Sequence, residues 1–375
     1  MKRAVIVRAK RTPVGKKNGM LHCLEPQELT APILSHLADG LGENVDDVIL
    51  GNVTGPGGNI GRLSALAAGL PLSIPGLMLD RQCSAGLEAI RLACYFIQGG
   101  AGSCYIAGGV ESSSTSHFEK RARFSPDSIG DPDMLEAAEM VAKKYGISKE
   151  LQDEYAFLSF ERSWEAFEKG IFAEEIVPVE QWSNDEEFFK KRNMEALLRR
   201  AKPIFENGTV TAGNSCGIND GAAAVVVMEE ETARARGFIP VLRFVDSQVA
   251  GVHPFYPGAA PIPAIQTLLN RNGLTVEDID LFEINEAFAS KMVACSQELS
   301  IPYEKLNLGG GALTVGHPYG ASGAILVTRL FYEVQRRHGV KYVLAAIGSG
   351  GGIGVAVLFE TVREKGLEDN TNDDW

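Results

Sequence analysis

The 375-residue chain is long enough for two to three domains of ordinary size. With 45% apolar and 22% charged residues, it has the profile of a soluble globular protein. A formal net charge of −12 argues against non-specific nucleic-acid or membrane binding, so a phosphate-bearing ligand needs a local basic cluster.

Val5-Ile6-Val7 reads as a first buried strand. Residues 29–41 read as a helix, 48–50 as a strand, and 62–70 as a helix. The apolar run 77–79 leads into Asp80-Arg81-Gln82-Cys83. The stretch 84–97 is helical and apolar nearly all round, which predicts burial. Residues 103–110 form a strand that enters Gly108-Gly109. This alternation implies an α/β fold around a largely internal sheet. Residues 116–204 differ: they are rich in charge, helical over 134–170, and without a strand until Glu175-Ile176-Val177. They read as an inserted, mostly helical lobe. The alternation resumes with a strand at 222–228, a helix at 264–271 and a strand at 279–282. A helix at 321–332 and a hairpin of 342–347 with 354–359 follow. The segment from Glu364 to Asp374 is acidic, lacks apolar periodicity and reads as a solvated end.

The apolar run before Arg8 is too short for a signal peptide, and no run approaches a membrane span. The six cysteines form no C-x-x-C pair, so neither a metal site nor a redox motif is expected. Cys94, Cys104 and Cys295 lie among apolar residues and read as core thiols. The expectation is a cytoplasmic protein without disulfides.

The forty-one glycines cluster at 51–61, 99–109, 208–221, 309–323 and 348–354. Such clusters mark tight turns and close backbone approach. Several polar residues, some within these clusters and some outside, are candidates for chemistry. Cys83 stands where a strand turns into a helix, and free N–H groups and the helix dipole there favour the thiolate. A lone buried cysteine is also a common core filler. His317 is framed by glycine and proline in Gly316-His-Pro-Tyr-Gly-Ala-Ser-Gly323. It reads as a proton acceptor for a thiol, or as a turn histidine in solvent. Asn285 reads as an oxyanion donor or a helix N-cap, and Glu286 as an orienting group or a first-turn residue. Gly350-Gly351-Gly352 supplies backbone N–H groups to an oxyanion, or makes a plain turn. A weak internal echo pairs the helix behind Cys83 with the helix behind His317. Two similar halves facing each other would oppose those helix N-termini.

Each signal is unspecific alone, but their order is informative. Asp80-Arg-Gln-Cys-Ser-Ala-Gly-Leu-Glu-Ala, Asn285-Glu-Ala-Phe, Gly316-His-Pro-Tyr-Gly-Ala-Ser-Gly and Gly350-Gly-Gly-Ile-Gly-Val-Ala follow the order of the thiolases. Arg11-Thr-Pro-Val-Gly, Gly108-Gly-Val-Glu-Ser, Gly208-Thr-Val-Thr-Ala-Gly-Asn214 and Ile218-Asn-Asp-Gly-Ala-Ala-Ala224 extend the resemblance over nearly the whole chain.

The resemblance implies a five-layered αβαβα unit of two similar halves with an inserted loop domain. The halves would be 1–115 with 205–232, and 233–375; the insertion would be 116–204. It implies transfer of acyl groups between coenzyme A thioesters, with acyl-CoA and CoA as substrates, no permanently bound cofactor, and a homodimer or homotetramer. Cys83 would take the acyl group. His317 would activate it, and Asn285 would hold a water in one oxyanion hole. The N–H groups of Cys83 and Gly350 would form the second hole. Lys202 would lie near the nucleotide, and Ser247, Ala287 and Phe288 along the pantetheine arm.

Three features depart from the family pattern. Gly348 stands where thiolases carry the second cysteine, which moves the α-proton in the carbon–carbon step. The neighbouring Ser349 is out of register and a far weaker base. Asp131-Pro-Asp-Met-Leu-Glu-Ala-Ala-Glu139 replaces a segment that normally covers the substrate. Asp80 replaces an asparagine and would raise the Cys83 pKa by like-charge repulsion, with Arg81 opposing it. Three functions fit: a thiolase with another acid/base; a Cys83 acyltransferase or thioester hydrolase without carbon–carbon chemistry, in which Gly348→Cys would restore the thiol and raise carbon–carbon activity; and a non-catalytic partner subunit.

Overall fold

The computed structural model describes residues 2–117 and 121–362. The acidic segment from Glu364 to Asp374 lies outside them. The strands are β1 (Ala4–Arg11), β2 (Gly15–Lys16), β3 (Asp47–Gly51), β4 (Gly76–Leu79), β5 (Cys104–Ser112), β6 (Asn219–Glu229), β7 (Leu242–Gly251), β8 (Leu281–Ile284), β9 (Tyr342–Ser349) and β10 (Ile353–Thr361). The helices are α1 (Pro26–Ala38), α2 (Ile60–Ala67), α3 (Ala85–Gly99), α4 (Met134–Tyr145), α5 (Lys149–Glu168), α6 (Met194–Arg200), α7 (Glu230–Ala235), α8 (Pro261–Arg271), α9 (Ala289–Leu299), α10 (Ala312–Val315) and α11 (Tyr319–Arg336).

The strands run in the order β4-β3-β5-β6-β1-β7-β10-β9-β8. The internal echo is visible in this order. From the centre outward, β1, β6, β5 and β3 repeat in β7, β10, β9 and β8. In each set the two inner pairings are antiparallel and the outer one parallel. The halves meet where Val5 and Ile6 pair with Arg243 and Leu242.

Period-2 alternation sorts the strand residues into separate apolar layers. Ala223, Val225 and Val227 of β6 face α3 and α11, while Ala222, Ala224, Val226 and Met228 face α1. In the second half, Val355, Val357 and Phe359 of β10 join the same central layer, and Ala356 and Leu358 face α8. Helices, sheet, helices, sheet and helices thus stack as αβαβα. The all-round apolar character of α3 follows from its place between the two sheets.

Between β5 and β6 the chain forms α4, α5 and α6. Glu175-Ile176-Val177 is not a strand, since only Ile176 makes a bridge, to Arg11. Strand β7 was not expected from the sequence. Its Arg243, Asp246 and Ser247 break any apolar run, and their partners come from elsewhere. Arg243 pairs with Glu230 and Glu360, and Asp246 with Arg271. Among the described residues no helix is long and apolar enough to cross a membrane.

Candidate active site

Helices α3 and α11 approach each other at their N-termini. A Cβ on Gly86 would lie 2.5 Å from the Gly320 carbonyl oxygen, and one on Gly323 would lie 2.5 Å from the Leu87 nitrogen. Only glycine permits this approach, and it opposes the turn carrying Cys83 to the turn carrying His317.

Cys83 precedes Ser84, the N-cap of α3. Its predecessor Gln82 has φ 51°, a left-handed conformation that costs energy for a residue with a side chain. Cys83 is partly exposed, but protein surrounds its sulfur. Burial pushes the thiol up to about 12; Glu111 and Asp80 add to the rise, and Lys291 opposes it. The backbone hydrogen bond at this helix start lowers the pKa in the expected direction, but desolvation outweighs it, so the resting group is the thiol. Asp80 acts in the expected direction, but Arg81 pairs with Glu88 at 3.4 Å. The rate of iodoacetamide alkylation at Cys83 should climb about tenfold per pH unit from about pH 7 to about pH 10, because the thiolate fraction grows until the raised pKa is reached. A plateau near pH 8 in peptide-resolved labelling would contradict the shift.

His317 is 3% exposed, so it is not a solvent turn residue. Its backbone N–H donates to Asn219 Oδ1 at 3.0 Å. Its Nδ1 lies 2.6 Å from Ser322 Oγ on α11. When Nδ1–H donates to that hydroxyl, Nε2 is left as a proton acceptor. Burial, and then the Lys291 charge, push the imidazole down to about 3, so it rests neutral.

Asn285 is not a helix N-cap; Phe288 fills that position for α9. The Asn285 side chain is buried, and its Nδ2 has no hydrogen-bond partner among the described residues. It faces a cavity of about 30 Å³ shared with Gly316 and Ser322, which is room for one water. Glu286 is a tie between the lobe and the second half. It accepts from Tyr155 at 2.9 Å and Ser159 at 2.7 Å on α5, from Asn307 at 2.8 Å, and from the Leu313 N–H at 3.3 Å.

Ser349 is buried, and its hydroxyl is hydrogen-bonded to that of Ser84. This contact links the two segments that carry Cys83 and Gly350. The Phe124 ring covers Gly350, lying 2.8 Å from where a Cβ would stand. Gly348 lines a cavity of about 10 Å³ with Met134, Ala138, Ala287, Phe288 and Lys291. A side chain at 348 does not fit the present backbone. Its Cβ would collide with the Pro257 carbonyl and lie 3.0 Å from Pro261 Cδ. The idea that Gly348→Cys simply restores a thiol is thereby corrected.

A cleft of about 900 Å³ has Lys16, Lys17, Arg192 and Arg200 among its lining residues, and also Cys216 and Gly316. Lys202 is exposed just beyond Ala201, which lines the cleft. Ala287 and Phe288 reach this region: the Ala287 carbonyl accepts from the Cys216 N–H at 3.0 Å, and Phe288 bridges to Ser215. Ser247 is not brought to the group. It sits on β7, where its hydroxyl accepts from Arg91 Nε at 2.8 Å and lies 2.9 Å from the Tyr95 hydroxyl. Sequence reasoning missed Cys216, whose thiol interacts electrostatically with Cys83. Its place between two quoted motifs, after Asn214 and before Ile218, was the available signal. Lys291 was missed too, because a lysine three residues after Phe288 looks like a solvated helix position.

A buried thiol and a neutral imidazole, set between opposed helix N-termini beside a basic-lined cleft, define an enzyme site suited to acyl transfer. The description "Thiolase, N-terminal domain" matches residues 4–231, and "Thiolase, C-terminal domain" matches 238–361. A Bacillus subtilis protein, "Putative acetyl-CoA C-acetyltransferase YhfS", is 60% identical over 96% of this chain and 99% of its own. A Staphylococcus aureus protein, "Putative acetyl-CoA C-acetyltransferase VraB", is 46% identical over the same shares. The crystal structure of the Bacillus anthracis acetyl-CoA acetyltransferase superposes with a TM-score of 0.90 at 37% identity, covering 96% of this chain and 99% of that one. The chain belongs to the thiolase family, and it is an acyltransferase.

Proposed function

We propose that the protein transfers acetyl groups between coenzyme A thioesters through an acetyl–Cys83 intermediate, making or cleaving a short 3-ketoacyl-CoA. The observation that carries this reading is the close approach of the α3 and α11 starts, which sets the turn carrying Cys83 opposite the turn carrying His317. In the first half-reaction the Cys83 proton passes to His317 Nε2 and the sulfur attacks the thioester carbonyl. The N–H groups of Cys83 and Gly350 hold the resulting oxyanion, and CoA leaves with the proton. Lys16, Lys17, Arg192 and Arg200 along the cleft suit the phosphates of CoA. Met134, Ala138 and Phe288 line the small cavity at Gly348, and the Phe124 ring covers Gly350; this close packing favours a two-carbon acyl group.

Intact-protein mass spectrometry after exposure to acetyl-CoA should show one acetyl group on the wild type and none on Cys83→Ala. Acetoacetyl-CoA cleavage by free CoA should vanish with the same substitution. Equal cleavage by both proteins would reject the reading.

A further inference from the structure

The family's second acid/base is absent, and position 348 is closed to any side chain by the turn that carries Pro257 and Pro261. The cavity that Gly348 lines contains an ionisable group of its own. Lys291 is 1% exposed, and its Nζ has no hydrogen-bond partner among the described residues. A buried, unpartnered ammonium is costly and is rarely kept for packing alone. Lys291 in the first turn of α9, with Phe288 at its N-cap and Ala287 just before it, lines the cavity. The groups that interact electrostatically with the amine are Cys83 at the start of α3, Cys216, Glu286, Cys295 on α9 and His317. Burial lowers its pKa, toward the neutral form that a base requires.

We propose that the Lys291 amine replaces the missing thiol as the acid/base of the carbon–carbon step. The inference rests on the acetyl–Cys83 reading. In the condensing direction a C–H bond of the second acetyl-CoA methyl breaks, and the proton passes to Nζ. The electron pair of that bond forms the new bond to the acyl carbon. The acyl–sulfur bond breaks, and the Cys83 thiolate takes a proton from the Lys291 ammonium, which restores both groups. In cleavage, the ammonium protonates the leaving enolate.

The test compares wild type, Lys291→Gln and Lys291→Met, the last retaining volume without charge should the first fail to fold. Three readouts are followed: acetyl adduct at end point, acetoacetyl-CoA cleavage, and deuterium uptake into the acetyl-CoA methyl. The adduct should still accumulate in the variants, while cleavage and deuterium uptake fall by about 10²–10⁴-fold. In Lys291→Ala, added ethylamine should restore part of the lost rate, whereas a less basic amine should restore less. Cleavage by a folded variant within about threefold of wild type overturns the inference. So does an equal loss of adduct and cleavage without amine rescue, which would assign Lys291 a purely structural role. Absence of adduct in the wild type is a separate result and removes the acetyl–Cys83 reading. Adduct without cleavage in the wild type removes the carbon–carbon step, and this inference with it.

Discussion

Replacing Arg11 with alanine should lower the unfolding free energy by about 3–5 kcal/mol, read as a lower urea midpoint at unchanged slope. The Arg11 side chain is fully buried at the end of β1. Its Nε donates to Glu175 at 2.8 Å, and its two terminal nitrogens donate to the two Asp185 oxygens at 2.6 and 3.0 Å. Glu175 keeps a second cation, Arg329 at 3.2 Å, but among the described residues the Asp185 carboxylate would be left with only the Val14 N–H at 2.8 Å. An uncompensated carboxylate in that position is the main cost. The double variant Arg11→Met with Asp185→Leu removes both charges and should lose less. A loss below about 1 kcal/mol for Arg11→Ala would show that solvent reaches the site. The pair matters beyond stability, because it pins the 170–190 segment of the lobe to the first strand of the core.

A large effect on catalysis is also expected at His317. His317→Asn should reduce acetoacetyl-CoA cleavage by about 10²–10⁴-fold and slow formation of the Cys83 adduct in parallel. The thiol is pushed up to about 12, so it has little thiolate of its own at neutral pH. The imidazole, held neutral on the turn opposite, is the proposed acceptor for its proton. Ser322→Ala removes only the group that orients Nδ1 and should cost less. Adduct formation by His317→Asn at the wild-type rate would mean that another base serves Cys83.

Most of the core was legible because its strands are apolar on both faces. β6, β9 and β10 each supply two apolar layers and read as uninterrupted runs. β7 was illegible for the complementary reason: its polar positions find partners on α7, α8 and β10 that local sequence does not show. At the site, His317 and Gly350 stood out through their glycine frames, and Cys83 and Asn285 through the order of the motifs that carry them. Ser247 was assigned by the resemblance alone, with no motif around it, and its hydroxyl instead meets Arg91 and Tyr95 on α3. Lys291 was hidden because a helix position declares its face only when the packing around it is known. The consequence of Gly348 was half legible: the missing thiol was plain, but the carbonyl that closes its place comes from residue 257.

The position of β1 bears on how the chain acquires its fold. This strand is made first, yet its neighbours are β6 at Asn219–Glu229 and β7 at Leu242–Gly251. At a synthesis rate of roughly 5–20 residues per second, β1 waits on the order of 12–50 s before both neighbours exist. During that interval its unpaired edges are open to other chains. Assembly of the two halves is thus a late event in biosynthesis, and the nascent N-terminal segment is the part most dependent on protection by chaperones.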